Sequence, residues 1–128
     1  MPMNKKIDYK EMAQDVYEWC VKHESWEDAC IYFDGKAWAT WKEWSGEYGK
    51  KIADGLYEYD GKNPCDYFEY GNPNTLSMSF EGTLYQILNA YWEWDFMVEW
   101  YEDFMNLFNK YNGYIEFGHS WNFTFVED

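Results

Sequence analysis

An α+β fold is what the order of elements along these 128 residues predicts: a small antiparallel sheet, made of hairpins and a central strand, packed against three or four helices. Three observations carry that expectation. Two stretches repeat apolar side chains every three or four residues, as one face of a helix does. Runs rich in β-branched and aromatic residues flank turn pairs such as Asp34-Gly35. The two kinds of segment come in mixed order, without the strict alternation of a parallel βαβ fold. At this length residues 1–128 fit one domain with one core.

From Asp8 to His23 the side chains of Met12, Val16, Trp19, Cys20 and His23 recur at helical steps, which predicts the first helix. Ala29–Phe33 and Lys36–Trp41 bracket Asp34-Gly35, a pair suited to a type I′ turn, and predict a hairpin. Between Glu43 and Tyr59 the spacing of Tyr48, Ile52, Leu56 and Tyr59 predicts a further helix, which Gly46, Gly49 and Gly55 each weaken. Asp60-Gly61, Asn63-Pro64, Gly71 and Asn72-Pro73 predict a long connection. Thr75–Phe80 alternates Leu76, Met78 and Phe80 with polar residues, the pattern of a strand buried on one face. After Gly82, Leu84, Ile87, Leu88 and Tyr91 predict a short helix. A longer helix runs from about Glu93, with Met97, Trp100, Tyr101, Phe104, Phe108 and Tyr111 toward the core and Asn112-Gly113 as its stop. Tyr114–Phe117 and Trp121–Val126 predict a closing hairpin, for a total of four or five short strands.

Charge is the most informative total. The chain carries 24 acids against 10 lysines and no arginine, a formal charge of −14. Residues 63–128 hold 11 of the acids and one lysine, Lys110. Such a balance repels nucleic acid and favours basic partners. No run of residues is apolar enough to span a membrane. The N-terminal stretch lacks the apolar segment of an export signal, and three cysteines cannot all pair, so a reducing cytoplasm is the expected compartment.

The acids are also patterned. On the predicted first helix Asp8, Glu11, Asp15 and Glu18 share a face, and on the long helix Asp95, Glu99, Glu102 and Asp103 share an arc opposite the apolar stripe. Like charges at such spacing cost a few tenths of a kcal/mol each, so these ridges oppose folding unless something outside the chain uses them. Carboxylates spaced roughly 5 to 6 Å along a helix match in scale the charge of a nucleic-acid strand. The expectation is a non-catalytic mimic that enters the basic groove of a nucleic-acid-binding enzyme, with Trp92 and Trp94 as aromatic anchors. The plainer reading is a solvated face that keeps an acidic protein soluble. The aromatic content, 9 Trp and 13 Tyr among other rings, exceeds what one small core consumes, and Trp26, Trp38, Trp41 and Trp44 also lie at element ends or on mixed faces.

In size and charge the chain resembles the anti-restriction and anti-CRISPR inhibitors of phages and mobile elements; this likeness is compositional and transfers no residues. An immunity protein that neutralises a cationic nuclease toxin is the alternative. A carbohydrate-binding module, with rings stacking on sugars, is a further one. So is a small metal-dependent enzyme, with Cys20, His23 and Cys30 as zinc ligands and Cys65 or His119 closing the site. No cofactor is expected, since phosphate loops, nucleophile elbows and calcium-loop patterns are all missing from the sequence.

Overall fold

A computed structural model describes residues 6–128. Residues 1–5, part of the stretch read for an export signal, lie outside the described residues. Helix α1 (Tyr9–Lys22) leads into the hairpin β1 (Ala29–Phe33) and β2 (Lys36–Ala39). Two short hairpins follow, β3 (Glu43–Trp44) with β4 (Glu47–Tyr48), and β5 (Lys50–Ala53) with β6 (Leu56–Asp60). A connection containing one 3-10 turn, Pro64–Asp66, reaches β7 (Ser77–Phe80). Then come α2 (Thr83–Asn89), α3 (Asp95–Asn106), a 3-10 segment over Leu107–Tyr111, and the hairpin β8 (Gly113–Phe117) and β9 (Asn122–Glu127).

The chain is α+β: seven strands form one antiparallel sheet in the order β5-β6-β2-β1-β7-β9-β8, β3 and β4 form a second, two-stranded sheet, and the three helices pack on the first. β1 and β7 are the pivot. Register pairs Ile31 with Trp38 on one side and with Met78 on the other, and Cys30, Ile31 and Tyr32 each meet a neighbour across both edges. Strand alternation then sorts side chains into two cores. Ile31, Phe33, Trp38, Met78, Phe80, Ile115, Phe123 and Phe125 enter the core shared with the helices, where Met12, Val16, Trp19, Leu84, Ile87, Phe104 and Phe108 meet them. Cys30, Tyr32, Ala37, Ala39 and Tyr59 face the other way, against Phe68, Trp41, Trp44, Tyr57 and Trp121.

Local chemistry explains the boundaries. Asp8 caps α1, its Oδ1 accepting the N–H of Glu11 at 3.0 Å. Asp34 and Gly35 adopt φ of 50° and 75°, the pair of left-handed residues that a type I′ hairpin needs. Asn112, at φ 56°, ends the 3-10 extension of α3 and turns the chain into β8.

The predicted helix between Glu43 and Tyr59 is replaced by four strands, and the described residues contain nine strands where four or five were expected. Ser45-Gly46 (φ 50° and 85°) and Gly55 (φ 71°) are left-handed residues, which break a helix and close hairpins. The three- and four-residue spacing of Tyr48, Ile52, Leu56 and Tyr59 does not describe one face: Tyr48 and Ile52 are exposed, whereas Leu56 enters the main core and Tyr59 the second. β7 also departs from the expected one-sided strand. Ser77 is fully buried, its hydroxyl bonded to that of Thr124 at 2.8 Å, which in turn donates to the Tyr70 carbonyl at 2.9 Å. At the open edge of the sheet, exposed Lys50 and Lys51 on β5 discourage pairing with another chain.

Candidate functional site

The segment joining α2 to α3 sets exposed rings beside unpaired carboxylates. Ala90 closes α2 with its N–H on the Gln86 carbonyl (2.8 Å), Tyr91–Glu93 make one 3-10 turn, and Trp94 stays extended before α3 begins at Asp95. No side chain caps this helix, so Asp95 in its first turn supplies the negative charge that the N-terminal dipole favours. Tyr91 stacks on Tyr101, with centroids 3.9 Å apart and planes at 16°, and ties the turn to the helix. Trp92, Trp94 and Phe96 are left 66%, 59% and 50% exposed. Glu93, Asp95, Glu99 and Glu102 are exposed with them, and among the described residues none of the four forms an ion pair.

Below this strip the helix is firmly seated. Phe104 is fully buried and meets Trp19, Phe108 and Phe123 edge-on. Trp100 packs its edge against His23 at 5.0 Å and Phe96 at 5.1 Å. Met97, Trp100 and Tyr101, read from sequence as core, are only partly buried at the margin. Asp103 has a different role from its three companions, because its Oδ2 accepts the indole N–H of Trp19 at 2.7 Å. That bond locks α3 to α1.

The first ridge is largely consumed by the fold. Asp8 is a helix cap. Lys110 reaches α1 from the 3-10 segment after α3 and pairs with Asp15 at 2.9 Å and Glu11 at 3.2 Å. The Tyr111 hydroxyl donates to the same two carboxylates. Burial, then the hydrogen bond to Asp15, raises the Tyr111 pKa well above the ordinary tyrosine value, and hydrogen bonds to the two acids raise that of Lys110. Glu18 is left exposed, 3.5 Å from the Gln14 amide. A groove of ≈ 420 Å³ runs beside this ridge, lined by Asp15, Glu18, Trp19, Lys22 and Lys110 among others, so its charge is mixed.

Among the six tryptophans expected at element ends or on mixed faces, Trp92 and Trp94 are exposed, Trp26, Trp41 and Trp44 are half-buried, and Trp38 is buried. Glu93 and Phe96 belong to the exposed strip but were not among the predicted residues. Phe96 sits two positions after Trp94 in a run of alternating rings and acids, Trp92-Glu93-Trp94-Asp95-Phe96, which was the available signal.

The residues considered as zinc ligands are separated by the sheet. Cys20 is buried in the helix-side core, Cys30 in the opposite one, and Cys65 is exposed with its sulfur 3.0 Å from the Gly71 carbonyl. His23 Nδ1 lies 2.8 Å from the Trp19 carbonyl, with the imidazole stacked on the Trp19 indole at 3.8 Å. Among the described residues no group of three His, Cys, Asp or Glu side chains could hold a metal ion. Burial pushes the Cys20 thiol up to about 12 and raises Cys30 further, so both stay protonated and unreactive at neutral pH. A cavity of ≈ 570 Å³ beside β8 and β9, lined by Tyr70, Glu116, Phe117, Thr124 and Val126 among others, has among the described residues no Cys, His or Lys in its wall.

Among the described residues no helix is long and apolar enough to cross a membrane. Comparison with protein-family models, with curated proteins and with solved structures finds no match for this chain.

Proposed function

We propose that this protein is a non-catalytic inhibitor of the nucleic-acid-mimic type, which blocks the basic groove of a nuclease, such as a defence nuclease targeted by phage or mobile-element counter-defence proteins. The observation that carries the reading is the strip at the start of α3. Asp95, Glu99 and Glu102 have no ion-pair partner among the described residues, and Trp92, Trp94 and Phe96 stand exposed beside them. An unpaired acidic row meets the electrostatic requirement of a phosphate-binding groove, and large rings at its end supply the anchors that turn attraction into affinity. The α1 ridge contributes less, because Asp8, Glu11 and Asp15 already serve the fold and only Glu18 keeps much of its free charge. Asp103 acts as a positioning residue for the strip through Trp19.

An immunity protein against a cationic nuclease toxin would use the same strip, so the identity of the bound protein distinguishes the two. The test is affinity capture from lysate at low and high ionic strength. A basic nucleic-acid-binding enzyme retained at low salt and released at high salt is the expected result. Capture that persists unchanged in high salt would count against charge mimicry and favour recognition of the rings alone.

A further inference from the structure

The face of the sheet turned away from the helices carries a second feature, independent of the acidic strip. Trp41, Trp44, Tyr32, Tyr67 and Trp121 wall a cavity of ≈ 200 Å³, with Asp28 and Glu81 at its margin. The rings do not lie in one plane. Trp41 meets Trp44 at 5.3 Å and 71°, Trp44 meets Tyr67 at 5.0 Å and 46°, and Tyr32 meets Trp44 at 6.2 Å and 74°. A flat platform would suit a sugar; inclined rings, some meeting edge to face, make an aromatic-walled hollow instead.

We propose that this cavity binds a quaternary ammonium group. Three observations converge on that chemistry. First, Asp28 and Glu81 are neighbours across β1 and β7, one step beyond the Ala29–Phe80 pair, where the Glu81 N–H donates to the Asp28 carbonyl at 3.0 Å. Both residues line the cavity and among the described residues neither carboxylate is in an ion pair, so a cation held there would meet uncompensated negative charge. Second, Trp44 of this wall takes an ammonium on its ring: Lys62 Nζ, outside the cavity wall and paired with Glu47 at 2.9 Å, lies 4.6 Å from the Trp44 centroid. Third, the wall is mainly aromatic. A primary ammonium is strongly hydrated and demands acceptors on all sides, whereas a methylated one spreads its charge over methyl groups and is satisfied by π faces with carboxylates nearby. The volume is below that of a drug-sized site, which typically spans about 300–1,000 Å³, and suits a head group.

The source of such a group is either a free choline-like molecule or a trimethylated lysine in a peptide, and the experiment has an arm for each. The full chain is titrated with choline, with its uncharged isostere 3,3-dimethylbutanol, and with a short peptide containing trimethyllysine. Binding is followed by calorimetry and by the indole N–H resonances in NMR spectra. Choline, the peptide or both should move the indole signals of Trp41, Trp44 and Trp121 and leave Trp92 and Trp94 in place, with the tighter of the two identifying the source. The neutral isostere should bind about tenfold more weakly than choline. The paired Asp28→Asn and Glu81→Gln variant, altered only at exposed side chains, should keep its fold and bind both cations more weakly. The idea fails if neither cation binds, if the isostere binds as well as choline, if the paired variant binds undiminished, or if the shifts fall on Trp92 and Trp94.

Discussion

Replacing both Glu99 and Glu102 by lysine is expected to weaken binding to the captured enzyme by about 3 kcal/mol, which is more than a hundredfold in Kd. Both side chains are exposed and neither has an ion-pair partner among the described residues, so the double substitution removes no contact that holds the fold. It also relieves the like-charge crowding among Asp95, Glu99 and Glu102, which stand three and four residues apart on α3. Folding stability should therefore hold or rise slightly while affinity collapses. Circular dichroism melts and calorimetric titrations on the same samples separate the two quantities. The matching reversal of Glu11 on α1 would behave differently, because it sets a lysine beside Lys110 and breaks an ion pair of 3.2 Å.

Phe104→Ala should destabilise the protein by about 3–5 kcal/mol, the cost of removing a large buried ring and leaving a cavity. Phe104 is fully buried between Trp19 of α1 and Phe108 and Phe123, so its loss removes the apolar packing of α3 on both, leaving the Trp19–Asp103 bond to hold the helices together. Denaturant unfolding monitored by far-ultraviolet circular dichroism measures the effect. Since the whole stability of a domain is commonly about 5–15 kcal/mol, the variant should be close to unfolding at physiological temperature. A loss below about 1 kcal/mol would mean that the α1–α3 packing contributes little to the fold.

Sequence patterns that act over a few residues were legible. The Asp34-Gly35 hairpin, the stop at Asn112 and the buried row of Phe104, Phe108 and Tyr111 all follow from chemistry within one or two turns of chain. Residues 43–59 misled because β3 and β4 contain two residues each and are largely exposed, so no alternation of burial had room to develop. Gly46 and Gly55 recorded the true state through their left-handed turns. The acidic rows were legible as spacing, but their partners were not. Lys110 returns to Asp15 and Glu11 only through the packing of the last 3-10 segment on α1, and Trp19 reaches Asp103 across 84 positions. The ring-lined cavity draws on β1, the β2–β3 region, the long connection and the β8–β9 loop, a meeting decided by strand order, which the sequence patterns did not specify.

Competition is the most direct test of mimicry. With the captured enzyme bound to a labelled nucleic-acid substrate, added protein should displace the label, and saturating nucleic acid should in turn exclude the protein, because both claim one basic groove. A stable ternary complex, in which the enzyme carries its nucleic acid and this protein together, would contradict the account.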